Sequence, residues 1–211
     1  YSVPLPTLVG MGLGAHRVPN KPKIPLHQLC YDIPIKHEVK QVMLKQMEDP
    51  LDEFSYTFDM GGQSYTVGNG GIHSNRKTWS GNDVWHVDVK GYYSLIMMNF
   101  NLFSRNISKE GIAKYREMYF ERLRLKKSNP LVADSLKIGV LAVWGATRNR
   151  YHILYDYHVG MLITLYGQLF LLYLMELFTD NNIDIINANT DGLIVKGDIN
   201  IIRSLTKQWE A

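Results

Sequence analysis

Between His158 and Phe178 the chain carries few strongly polar groups, and about twenty such residues are enough to cross a bilayer as a helix. The fold must therefore either place this segment in lipid or wrap it on most sides with protein. Gln168 and Glu176 lie inside it, Thr164 and Gly167 dilute it, and neither flank has the basic cluster that orients a membrane span. These features favour a buried core helix and predict no membrane partner. With 211 residues, 45% hydrophobic and 20% charged, the chain has enough material to enclose such a helix in one domain, or in one domain with a large insertion. A net charge of +3 is too small to announce a nucleic-acid binder from composition alone. The single cysteine, Cys30, excludes an internal disulfide framework and a Cys-rich zinc site, and points to a reducing intracellular, cytoplasmic setting. The chain opens on Tyr1 without a charged and then apolar leader, so it reads as part of something longer.

Prolines at 4, 6, 19, 22, 25, 34 and 50 predict an extended, wrapping segment over residues 1–53. Gly10-Met11-Gly12-Leu13-Gly14-Ala15 loosely fits a dinucleotide loop, but the prolines at 19, 22 and 25 forbid the helix that such a loop requires. From Phe54 to Val67 the pattern is a hairpin about Gly61-Gly62. Gly68 to Ser74 then supplies backbone that another group can approach closely, or simply a second turn. Val84 to Val89 reads as a strand carrying Asp88 at its end, and Tyr92 to Phe100 as a short buried helix. A helix from Ser108 to Lys127 and another starting at Asn129-Pro130 are separated only by a tight connection, which predicts antiparallel packing. Residues 105–127 hold eight Lys or Arg against three Glu, a local excess larger than the whole chain's net +3; a solvated helix face is the plain alternative. Ile183 to Ala188, a turn at Asn189-Thr190-Asp191-Gly192, and Leu193 to Lys196 form a second hairpin with a carboxylate at its tip, followed by a helix from Asp198.

Arg122 and Lys126 are one turn apart on one helical face, and Lys137 on the partner helix can join them to match a polyphosphate. Two carboxylates on different strands, Asp88 and Asp191, repel unless a divalent cation lies between them, and magnesium takes such oxygen ligands. The set suggests phosphoryl or nucleotidyl transfer with two metal ions, although either aspartate equally suits capping a turn.

Asp88-Val89-Lys90-Gly91-Tyr92-Tyr93-Ser94-Leu95-Ile96 resembles the first palm motif of family B DNA polymerases, D-x-x-S-L-Y-P-S-I. Lys137 to Gly145 is similar to their fingers motif, K-x-x-x-N-S-x-Y-G, and Asn189-Thr190-Asp191-Gly192 to the third motif, D-T-D-S. Gly71 to Ser74 and Gly167 to Glu176 resemble bacteriophage-type members. The likeness covers roughly residues 54–197. It departs from the family pattern at Ser94, Leu141, Trp144 and Asn189, and the family's D-x-E exonuclease tripeptide does not occur.

The resemblance implies an α+β polymerase palm, with an antiparallel sheet carrying two carboxylates and an inserted two-helix antiparallel fingers subdomain, thumb and exonuclease being absent. The implied divisions are an N-terminal segment at 1–53, palm at 54–104, fingers at 105–150 and the second palm part at 151–211. It implies a DNA-directed DNA polymerase (nucleotidyltransferase) in DNA replication, with primer-template DNA and dNTPs as partners, missing flanking domains, and the host cytoplasm as location if viral. Asp88 and Asp191 would be catalytic and would hold two Mg2+ or Mn2+ ions with the Val89 carbonyl. Arg122, Lys126 and Lys137 would bind nucleotide phosphates, and Tyr93 would lie under the sugar and reject a 2′-hydroxyl. Alternatives from other classes are a metal-dependent nuclease or hydrolase, using His86 with Asp88 or Asp156 with His158, and a non-catalytic DNA-binding fragment.

Overall fold

The computed structural model describes residues 12–49, 53–76 and 78–211, which form seven helices and a six-stranded antiparallel sheet, an α+β architecture. The chain divides into two compact units: the residues up to Ile24 with Tyr93–Ile163, and Pro25–Tyr92 with Thr164–Ala211.

The second unit holds the sheet. Its strands are β1 (Ser55–Met60), β2 (Gln63–Gly68), β3 (Gly71–Ser74), β4 (Val84–Asp88), β5 (Asp184–Asn189) and β6 (Gly192–Lys196), in the order β1-β2-β3-β5-β6-β4. Gly61 and Gly62 close the first hairpin with φ of 57° and 75°, positive values that glycine reaches without a steric penalty. Alternation then buries Phe58 and Met60 on β1 and Tyr65 and Val67 on β2, with the Phe58 and Tyr65 rings stacked. β3 joins β5 through the single pair His73 and Asn189, whereas β4 pairs with β6 along its whole length, from Val84 opposite Lys196 to Asp88 opposite Gly192.

The apolar run forms a long helix, Tyr157–Asp180, whose residues from Thr164 onward belong to this unit. Its apolar stretch is 83% buried, so protein and not lipid covers it. Its two polar exceptions are anchors. Gln168 donates to the Gly68 carbonyl, and the buried Glu176 carboxylate accepts from the backbone N–H groups of Lys36 and His37. The C-terminal helix Ile199–Glu210 is fastened to the same helix by Trp209 Nε1, which donates to the Phe170 carbonyl at 2.7 Å.

The expectation of an extended N-terminal segment over 1–53 needs correction. Residues Leu29–Asp32 and Val39–Glu48 are helical. Prolines stand at 34 and 50 but nowhere between, and that proline-free window is long enough for about three helical turns. Val39, Met43 and Met47, at helical spacing, are fully buried. Residues 1–11 and 50–52 of that segment lie outside the described residues, as does the start of the Gly10 to Ala15 loop.

In the first unit, helix α4 (Lys109–Ser128) and helix α5 (Pro130–Arg148) follow α1 (Leu29–Asp32), α2 (Val39–Glu48) and α3 (Tyr92–Asn99) in chain order; α6 (Tyr157–Asp180) and α7 (Ile199–Glu210) come after them. Ser108 caps α4 by accepting from Gly111 N at 3.0 Å. Asn129 caps α5 by accepting from Val132 N at 3.4 Å, with Pro130 at its first position. A Cβ at Gly139 would lie 3.2 Å from Met118 Cε; the two residues are nearly equidistant from Asn129, so the chain doubles back and the helices pack antiparallel. Tyr115, Tyr119, Val140 and Val143 are buried, and Phe103 meets Tyr115 edge to face.

Candidate active-site residues

Asp88 and Asp191 are brought to one end of the sheet by strand pairing. Asp88 ends β4 opposite Gly192, and the N–H of the next residue, Val89, donates to the main-chain carbonyl of Asp191 at 3.1 Å. A Cβ at Gly192 would lie 3.1 Å from the Val87 carbonyl oxygen, a tight contact with backbone, and 3.5 Å from Asp88 Oδ1, so glycine lets β4 and β6 pair closely beside the Asp88 carboxylate.

The hairpin tip is tightly held. Thr190 has φ 60°, and the N–H of Asp191 donates to the Asn189 carbonyl at 2.7 Å, a three-residue turn that is strained for a β-branched centre. Thr190 N donates to the Ile72 carbonyl at 3.0 Å, and Ala188 N donates to Ser74 Oγ at 2.8 Å. Gly71, at φ 146°, lets β3 come so close that a Cβ there would sit 3.0 Å from Thr190 Cα. The glycine-rich stretch that reads in sequence as approachable backbone is thus approached by the chain's own hairpin tip.

Burial and then the like charge of Asp88 push the Asp191 carboxyl above the ordinary aspartate range, against smaller opposing pulls from its own backbone and from His86. His86 stands two residues before Asp88 on β4, and its Nε2 would lie 3.3 Å from a Cβ at Gly192. Two neighbouring carboxylates of like charge, on a rim that is still exposed, suit a bound divalent cation. Among the described residues no group of three or more His, Cys, Asp or Glu converges, so any metal shell would draw on these two carboxylates and main-chain oxygen.

The cationic residues belong to the first unit. Arg122 is half-buried and Lys126 exposed on α4, and Lys137 is exposed on α5. Among the described residues none of the three has an ion-pair partner, unlike Arg124, which binds Glu121 at 2.7 Å. Lys137, Leu141 and Trp144 follow one another at i, i+4 and i+7, a single stripe of α5. Trp144 stacks on Tyr93, ring centroids 4.4 Å apart and planes 19° apart. Tyr93 is half-buried, so it is a packed aromatic that still presents surface.

No protein-family model matches this chain, and no curated protein matches it.

Asp156, weighed in sequence as a metal ligand beside His158, is 2% exposed and is committed to Arg105, whose backbone N, Nε and Nη2 all donate to its oxygens. Burial pushes this carboxyl up, but the Arg105 hydrogen bonds and charge, with Lys21 at 3.9 Å, hold it below the usual range. Sequence reasoning treated Trp144 only as a departure from a motif and missed that it packs on Tyr93. No local pattern signals a contact between rings fifty residues apart.

Proposed function

We propose that this chain carries the catalytic centre of a template-directed DNA polymerase resembling family B, bacteriophage-type, with the sheet as palm and the α4–α5 hairpin as fingers. The observation that carries the reading is the carboxylate pair formed by Asp88 at the end of β4 and Asp191 at the tip of the β5–β6 hairpin, fixed by the Val89 N–H to Asp191 carbonyl bond and by the Asp88 to Gly192 register. The raised titration of Asp191 beside Asp88 supports the fit of Mg2+ or Mn2+, because a divalent cation would relieve that repulsion. Asp88 and Asp191, with the Val89 carbonyl, would hold two such ions, which when bound make the primer 3′-hydroxyl a better nucleophile and stabilise charge on the transferred phosphoryl group.

The remaining roles fall to this chain's own side chains. Lys137, Arg122 and Lys126 bind the β- and γ-phosphates of a dNTP, positioning it and neutralising the pyrophosphate that leaves. Tyr93, braced by Trp144, presents a flat wall to the sugar and leaves no space for a 2′-hydroxyl.

Primer extension, with this chain and any flanking sequence it natively carries, tests the reading. Wild type should extend a DNA primer with dNTPs and Mg2+ or Mn2+, and Asp88→Asn or Asp191→Asn should each lower the rate by about two orders of magnitude or more. Full extension by either folded variant would sink it. Zinc-dependent cleavage of DNA in place of extension would transfer the pair, together with His86, to a nuclease or hydrolase.

A further inference from the structure

Away from the residues assigned above, and wholly within the first unit, lies a cavity of about 180 Å³ lined by Arg17, Lys21, Arg150 and His152 together with Asn106 and Tyr155. Its charge is unbalanced. The carboxylate closest to Lys21, Asp156, has both oxygens bound by Arg105, whose guanidinium also reaches the Pro22 carbonyl. That leaves Arg17 and Arg150 as surplus cations around one small space, with Lys21 held to Asp156 only by a long 3.9 Å ion pair. Lys21 Nζ donates to the Tyr155 carbonyl at 2.7 Å. Arg150 lies over the Tyr151 ring and donates one Nη2 hydrogen to the Tyr151 hydroxyl at 2.6 Å, which leaves most of its donors unused. Burial lowers the Lys21 ammonium below the usual lysine range, and the charges of Arg105 and Arg17 add to this against the pull of Asp156.

His152 supplies a second, independent sign. It is 8% exposed, and its Nδ1 accepts from Leu154 N at 3.0 Å, which fixes the neutral tautomer with hydrogen on Nε2. That Nε2 is buried and has no hydrogen-bond partner among the described residues. A buried donor left unpaired is costly, and an oxyanion accepts from it readily. Asn106 keeps the surrounding loops in place, its Oδ1 accepting from Val18 N at 3.1 Å and its amide donating to the Ile153 and Tyr155 carbonyls.

We propose that this cavity is a phosphate subsite, in which Arg17, Lys21 and Arg150 bind the oxygens of one phosphate group and His152 Nε2–H adds a further donor. The space is smaller than the roughly 300 Å³ at which pockets for drug-sized ligands begin, so a phosphate group fits and a whole nucleotide does not. The phosphate is either inorganic or part of a nucleic-acid chain. The assignment does not depend on the carboxylate pair.

The test follows the His152 side-chain resonances by 1H–15N correlation in the full chain. Inorganic phosphate, a 5′-phosphorylated single-stranded oligonucleotide and the same oligonucleotide without that phosphate are titrated in turn. At least one probe should shift the Nε2–H signal, and Arg17→Gln and Arg150→Gln should each weaken its binding about tenfold. His152→Gln, which keeps an N–H donor, should bind better than His152→Leu. A shift with inorganic phosphate alone assigns the subsite to the free anion, and a shift with the oligonucleotides assigns it to nucleic acid; either supports the proposal. No shift with any probe, or unchanged affinity in both arginine variants, overturns it. Should His152→Leu fail to fold, exposed Arg17→Gln decides.

Discussion

Thr190 holds a backbone conformation that a β-branched residue rarely adopts, and its neighbours dictate that conformation. The Ile72 carbonyl, the Val89 N–H bond to Asp191 and the bare Cα of Gly71 together leave the tip one place to sit. Gly71→Ala would force a Cβ against Thr190 at a φ that side chains resist. It should cost about 1–3 kcal/mol, read by urea unfolding, and lower activity through a displaced Asp191. The Asp191 carboxyl carries its own signature. Because its folded form titrates above its unfolded value, the native state holds the proton more tightly, and stability falls as pH rises through the interval between the two values. That loss persists at neutral pH, so Asp191→Asn should raise Tm at pH 7 while abolishing activity, and the difference in Tm should close in acid. At this scale the sequence displayed both aspartates. It did not display Gly71 against Thr190, because a contact between residues so far apart leaves no local pattern.

Helix starts were the most legible elements, since a cap is a local event. Ser108 and the Asn129-Pro130 pair mark the observed starts of α4 and α5. Asn129→Ala should therefore cost about 1 kcal/mol in thermal unfolding. Prolines spread over about fifty residues imply an extended N-terminal segment, whereas a helix needs only the proline-free stretch that α2 occupies. The Arg105 to Asp156 pair links the loop before α4 to the start of α6 within one unit. Asp156→Asn would weaken the charge-assisted hydrogen bonds that the half-buried Arg105 makes here and should cost about 1–3 kcal/mol. On α3, truncating Tyr93 to Ala should raise the kcat/KM for ribonucleotides relative to deoxyribonucleotides, and Trp144→Ala on α5 should move the ratio the same way by freeing the Tyr93 ring. A phenylalanine at 93 should keep the discrimination. An unchanged ratio in an active Tyr93→Ala enzyme would assign sugar selection elsewhere.

For the whole molecule, the long apolar segment is legible in sequence as a buried core helix, and its polar exceptions point the right way: Gln168 and Glu176 bind backbone groups of the unit they help to bury. The partition into two units was beyond sequence reasoning, since one boundary falls inside α6 and another at the first residue of α3, where periodicity runs on unbroken. The pairing of β4 with β6 also has a consequence in time. Its partners stand about a hundred residues apart in the chain, and closing so long a loop is entropically slow, whereas α4 and α5 need only local contacts. Pulse-labelled hydrogen exchange during refolding should find the amides of α4 and α5 protected before those of β4 and β6; simultaneous protection would argue against this order. A nascent chain that has not yet reached Gly192 exposes Asp88 with nothing opposite it. On the proposed reading, the two carboxylates could share a divalent cation only once the ribosome has added the roughly one hundred residues that separate Asp88 from Gly192.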